Sequence, residues 1–356
     1  MNGPAERPLR IALISPIWQR TPPVAYGATE LMVSVLTEEL VRRGHDVTLY
    51  APGDAVTKAR LRSFLPQAPG WEKSLEDPTL ELHHVVHAYR DAGEFDIVHD
   101  HTDPFGPAIG AFAATTRPVV HTVHSTPADE PLRSLYRMVH EQVGLVALSA
   151  AQRATTPELR YAQVIHHGLD IEGFRFQPLK GDYALFIGRM MNGKGVDLAI
   201  HAARKAGLRL LIATKEVQFG YEARYLRDKV KPLLGDDVEL VGEVGFEAKV
   251  ELYGNARCTL VPTNWDEPFG LTVIESLACG TPVVGLRRGA TAEIVEHGVT
   301  GFLAADVDEL AYFAGRTAEI SPAACRRAAE DRFSAGLMAQ RYEALYRRVI
   351  AVHEKR

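Results

Sequence analysis

Gly188-Arg-Met-Met-Asn-Gly-Lys-Gly195 sets glycines beside two cations directly after an apolar run, Tyr183-Ala-Leu-Phe-Ile187. Gly188, Gly193 and Lys194 satisfy most of the phosphate-loop pattern Gly-x4-Gly-Lys-Ser/Thr, but Gly195 stands where a hydroxyl would hold magnesium. What remains is a flexible cationic loop: Arg189 offers a fork of donors for phosphate oxygens and Lys194 a point charge, which suits a diphosphate without requiring a metal. The plainer reading is a solvated pair on a surface turn.

A second stretch runs from Trp265 through Asp-Glu-Pro-Phe-Gly-Leu-Thr-Val-Ile-Glu-Ser-Leu-Ala-Cys-Gly-Thr-Pro-Val to Val284. Pro268 and Gly270 shape a loop, and a helix follows from about Leu271, so Glu275 lies about one turn inside it. The first N–H groups of that helix, near Gly270 to Thr272, can face phosphates. Glu267, in the loop, and Glu275 are poor partners for phosphate but good acceptors for sugar hydroxyls on either side of it. Either glutamate alone would read as an ordinary exposed residue; together they describe a site for a nucleoside diphosphate sugar. A third segment, Gly27-Ala-Thr-Glu30, puts a glycine at a helix start that could receive an anion. It is not the Gly-x-Gly-x-x-Gly of a nicotinamide enzyme, and a glycine that merely turns the chain is an equal reading.

Two other clusters invite a metal reading. His83, His84, His87, His99, His101, His121 and His124 recur at short spacings, yet no His-Glu-x-x-His or cysteine pair accompanies them, so no metal site is assigned. Asp306-Val-Asp308 mimics the Asp-x-Asp of metal-dependent sugar transferases, but Glu309 and Leu310 follow as in a capped helix start.

The elements that must position these residues alternate. In the first half, strands are predicted at 9–15, 46–51, 95–99, 118–123, 144–148 and 162–166. Helices are expected from Ala28 to about Gly44, over 104–114 and over 132–141. Residues 168–181 break the alternation with Gly, Pro and charge. A second series then has strands at 183–187, 209–213, 238–241, 258–261 and 282–285, and helices at 196–205, 221–234, 246–255 and 271–278. This is the pattern of two doubly wound α/β domains, whose ligands lie outside the carboxyl ends of the strands. Met338, Tyr342, Leu345 and Val349 make one apolar stripe on a last helix.

Composition bounds the rest. Three hundred and fifty-six residues, 46% hydrophobic and 24% charged, fit roughly two globular domains. A formal charge of -5 gives no field for nucleic acid or an anionic membrane. Cys258, Cys279 and Cys325 form no disulfide framework and suggest a reducing compartment. The segment Met1 to Arg10 lacks the apolar core of a signal peptide, so a cytoplasmic protein with at most peripheral membrane contact is expected.

The sequence resembles the retaining GT-B glycosyltransferases called family 4 (glycosyl transferases group 1). The resemblance rests on Gly27-Ala-Thr-Glu30, Arg43-Gly-His-Asp-Val47, His121-Thr-Val-His-Ser125, Gly188-Arg189 with Lys194-Gly195, Gly242-Glu-Val244 and the Glu-x7-Glu stretch Glu267 to Glu275. It implies an acceptor-binding Rossmann-like domain over 1–170, a nucleotide-sugar-binding one over 171–334, a cleft between them, and a helix over 335–356 that returns to the first. It also implies that Arg189 and Lys194 stabilise the leaving diphosphate, Glu267 faces the transferred sugar and His124 lies beside it. Gly27, Ala28, Phe269, Gly270, Leu271, Thr272 and Glu275 would hold the nucleotide sugar, with Glu275 on the ribose and backbone near Val244 at the base. The implied reaction moves a hexose, with retention and without metal or cofactor, from a UDP, GDP or ADP sugar to a hydroxyl of a sugar-, lipid- or small-molecule-linked acceptor. A sugar-nucleotide epimerase of the same architecture and a non-catalytic nucleotide-sugar-binding relative are the alternatives. The chain departs from the family where Ala28 replaces a second glycine. It departs again at Ala213-Thr-Lys-Glu216, where Lys215 either adds a cation near the diphosphate or points into solvent.

Overall fold

The computed structural model describes residues 7–355 except 26, 72, 74–76, 115, 216, 218 and 219. Glu216 and the first six residues of the leading segment therefore lie outside the described residues. The chain divides into two compact units, Met1–Gly168 with Ala335–Arg356, and Leu169–Ser334.

In chain order the first unit contains β1 (Arg10–Ile14), α1 (Ala28–Arg42), β2 (Asp46–Tyr50), β3 (Arg60–Arg62), α2 (Thr79–Arg90), β4 (Ile97–Asp100) and α3 (Phe105–Ala113). It continues with β5 (Val119–Thr122), α4 (Glu130–Val139), β6 (Gly144–Ala147), α5 (Ala150–Thr155) and β7 (Tyr161–Val164). The strands form one parallel sheet in the order β3-β2-β1-β4-β5-β6-β7. Alternation along β1 sorts the core into two faces: Leu13 packs with Leu36 of α1, while Ala12 and Ile14 pack with Val85 of α2 and Tyr136 of α4. Both faces are covered, which is why the strands read as short continuous apolar runs.

The second unit contains β8 (Tyr183–Ile187), α6 (Val196–Lys205), β9 (Arg209–Ala213), α7 (Gly220–Tyr225), β10 (Val238–Gly242), α8 (Phe246–Asn255), β11 (Cys258–Val261) and α9 (Leu271–Ala278). Then come β12 (Val283–Leu286), α10 (Thr291–Ile294), β13 (Gly301–Ala304), α11 (Val307–Gly315) and α12 (Pro322–Phe333). Its sheet is also parallel, in the order β10-β9-β8-β11-β12-β13. Asp306 caps α11, its Oδ1 accepting from the N–H groups of Asp308 and Glu309 at 2.9 Å each, so the Asp-x-Asp mimic is a helix start.

One expected element is different. The helix predicted over 221–234 is α-helical only to Tyr225, then runs through a π turn (Leu226–Val230) and a 3-10 turn (Lys231–Leu233). Pro232 has no N–H and its ring crowds the carbonyl four residues back, so the regular ladder cannot continue.

The last helix, α13 (Ala335–His353), belongs to the first unit. Met338, Tyr342, Leu345 and Tyr346 are buried among Leu36, Leu40 and Val120, with Val349 partly buried beside them. The apolar stripe is therefore core.

Candidate functional site

Each sheet has one point where successive connections leave in opposite directions, and there the loops splay apart and leave a crevice. In the second unit this point lies between β8 and β11. The loop after β8 carries Arg189 and Lys194; the loop after β11 carries Glu267 and leads into α9.

Lys194 ends a 3-10 turn (Asn192–Lys194), and Gly195 follows at φ 70 before α6 begins. A Cβ at Gly195 would lie 2.4 Å from the Pro262 carbonyl oxygen. The missing phosphate-loop hydroxyl thus has a steric cause, since no side chain fits here. The two loops are laced together: Asn264 donates from its backbone N–H to the Gly193 carbonyl at 2.9 Å and from its side chain to that of Asn192 at 3.0 Å.

Lys194 Nζ donates to both oxygens of Glu267 at 2.5 Å, and the Trp265 indole N–H donates to Glu267 Oε2 at 3.2 Å. The ammonium stands 5.9 Å from the centre of the Trp265 ring. The backbone of Glu267 is held as well, because Ala290 N–H donates to its carbonyl at 3.1 Å. Gly289, at φ 50, comes so close that a Cβ there would lie 2.5 Å from the Glu267 nitrogen. Lys194, Glu267, Gly270 and Thr272 line one small pocket with Thr263 and Thr291.

Gly270 precedes α9 at φ 93 and contributes no side chain, so the first turn, with Leu271 and Thr272, is reached through backbone. Phe269 behaves differently from its neighbours. Its side chain is 2% exposed and meets Phe333 edge-on, which leaves only its backbone for a ligand. Glu275, one turn further, is buried and engaged at both oxygens: Lys249 Nζ of α8 donates to Oε1 at 2.6 Å and Tyr253 OH donates to Oε2 at 3.1 Å. Carboxylate oxygens have lone pairs to spare, so these partners orient Glu275 without saturating it. Val244 is half-buried between β10 and α8.

Arg189 does not join Lys194 at Glu267. Its Nε donates to Glu222 Oε1 of α7 at 2.8 Å, and its terminal nitrogen pairs with the same oxygen, while its side chain stays 49% exposed. Lys215 is exposed. The sequence reading missed Glu222, Lys249, Tyr253 and Trp265. Their signal was faint, although Lys249 and Tyr253 lie four residues apart on one face of a correctly predicted helix.

In the first unit, Gly27 caps α1 at φ 155, where a Cβ would lie 2.8 Å from Pro23 Cβ, and Ala28 opens the helix exposed. His124 Nε2 lies 2.9 Å from His101 Nδ1, and its ring stacks on His167. Burial pushes His124 down to about 4, so it is neutral near pH 7. His99 is engaged at both nitrogens, by Tyr346 OH at 2.6 Å and Thr122 Oγ1 at 2.8 Å. His84 contacts the Ser15 carbonyl at 3.0 Å. Each of these histidines has a structural partner. All three cysteines are free and buried. Among the described residues no helix is long and apolar enough to cross a membrane.

Residues 29–172 match the family described as Glycosyltransferase Family 4, and residues 181–318 match Glycosyl transferases group 1. The D-inositol 3-phosphate glycosyltransferase of Acidothermus cellulolyticus is 27% identical, over 80% of this chain and 76% of its own. The phosphatidyl-myo-inositol mannosyltransferase of Mycolicibacterium smegmatis is 25% identical, over 83% of this chain and 80% of its own. AviGT4, a glycosyltransferase involved in avilamycin A biosynthesis, has a crystal structure that superposes with a TM-score of 0.75 at 28% identity, covering 97% of this chain and 99% of that one. With two Rossmann-like units and both family patterns in place, the chain belongs to the family 4, group 1 glycosyltransferases of GT-B fold.

Proposed function

We propose that the chain transfers a hexose from a nucleoside diphosphate sugar, of the UDP, GDP or ADP type, to a hydroxyl of a polyhydroxylated acceptor, with retention and without a metal ion. The observation that carries this reading is the Lys194–Glu267 pair at the crevice of the second sheet, with the first turn of α9 beside it and Glu275 one turn on. Lys194 and Arg189 supply positive charge for the diphosphate, and the backbone N–H groups of α9 add to it. Glu267 accepts hydroxyls of the hexose and Glu275 those of the ribose. The first unit takes the acceptor, and His124 is the candidate catalytic residue there. As the bond from the anomeric carbon to the phosphate oxygen breaks, a bond to the acceptor oxygen forms on the same face, and the acceptor proton passes to the departing phosphate. The two relatives, named for D-inositol 3-phosphate and phosphatidyl-myo-inositol, support an acceptor with a hydroxylated ring.

Lys194→Ala should lower the rate of donor turnover roughly 10²-fold by removing charge stabilisation made mostly in the transition state. Turnover kinetics with each sugar nucleotide check this, and an unchanged rate overturns the role. NMR of the product anomer tests retention, and full activity after chelation tests metal independence.

A further inference from the structure

The crevice of the first sheet lies between β1 and β4, and its chemistry is the opposite of that in the second. Four carboxylates gather there: Glu30 in the first turn of α1, Glu81 in the first turn of α2, Asp100 at the end of β4 and Asp103 just beyond it. Glu30 is 1% exposed and its Oε1 has no hydrogen-bond partner. Glu81, also buried, accepts from Trp18 and feels the charges of Asp100, Asp103 and Glu30. We infer that this crevice recognises an ammonium group on the acceptor, an amino sugar or aminocyclitol, so that the substrate class is cationic rather than phosphorylated.

The charge balance supports this. His121 lies 3.0 Å from Asp103 and 3.7 Å from Asp100, is pushed up to about 9, and so compensates one of the four carboxylates. Burial drives Glu30 and Glu81 up to about 7. His84, on α2 with Glu81, is held down to about 4 by burial and contacts the Ser15 carbonyl. A buried carboxylate oxygen left unpaired, as Oε1 of Glu30 is, is costly, and an incoming ammonium offsets that cost with charge-assisted hydrogen bonds. A phosphate in the same place would meet like charge.

The inference rests on the reading of the first unit as the acceptor-binding part. Its test titrates the full chain with 2-amino-2-deoxyglucose, 6-amino-6-deoxyglucose, glucose and glucose 6-phosphate, in the presence of UDP, GDP or ADP. At least one amino sugar should bind 10-fold or more tightly than glucose, with glucose 6-phosphate weakest. The variant Glu30→Gln with Glu81→Gln should erase that preference and leave nucleotide affinity unchanged, which also reports that it is folded. No preference for an amine, no binding by any of the four, or a preference that survives the substitutions overturns the inference. Failure of the donor reading is separate, because it shows as absent nucleotide binding in the same titrations.

Discussion

Arg189 and Lys194 were paired by the sequence, and the structure gives them different acidic partners. Lys194 lies along Glu267, the residue proposed to meet the hexose, while Arg189 is tied to Glu222 on a short helix. On the proposed reading, an incoming diphosphate competes with Glu222 for the guanidinium, which lowers the apparent affinity by the fraction of Arg189 held there. Glu222→Ala should therefore raise nucleotide diphosphate affinity several-fold, read by calorimetric titration, while Arg189→Ala lowers it. Unchanged affinity in Glu222→Ala would show that the pair opens freely. Glu222 could not be foreseen because a single glutamate after an irregular segment has no pattern, and nothing in local spacing says which of many carboxylates an arginine will find.

At the scale of elements, helices α6, α8 and α9 and strands β9 and β11 fall where periodicity and turn residues put them. Local signals were strong there: apolar runs bounded by glycine, and helices framed by capping positions. The weak points are physical too. β3, Arg60–Arg62, is a three-residue edge strand with charged ends, which needs no apolar run to pair along one side. β13, Gly301–Ala304, is too short for a period to show. Among loops, Gly195 illustrates what spacing alone conceals, because its φ of 70 and its approach to Pro262 are set by a strand distant in sequence. Gly195→Ala should cost at least ~2 kcal/mol of stability, from left-handed backbone strain together with the clash. It should also abolish the rise in melting temperature on adding nucleotide diphosphate, measured by thermal shift. A variant as stable and as ligand-responsive as the parent would contradict the close packing.

For the molecule as a whole, the buried carboxyls of Glu30 and Glu81 couple stability to pH. Glu30 and Glu81 hold their protons more tightly when folded, rising from 4.5 to about 7. A folded state that binds more protons than the unfolded one loses stability as pH rises between those values, so the loss accumulates from about pH 4.5 to about pH 7 and is complete above it. At most this is about 3 kcal/mol per carboxylate. Glu30→Gln should accordingly raise the melting temperature at pH 8 by several degrees and change it little near pH 4, which calorimetry can follow. An equal shift at both values would assign the effect to packing rather than charge.

The connectivity of the first unit has a further consequence during synthesis. Its sheet is finished by residue 164, but α13, which covers Leu36, Leu40 and Val120, begins only at Ala335. At about 5–20 residues per second, a nascent chain would wait on the order of 10 to 30 s for its closing helix. Throughout that interval a greasy groove stays open on the ribosome, a natural landing place for a chaperone.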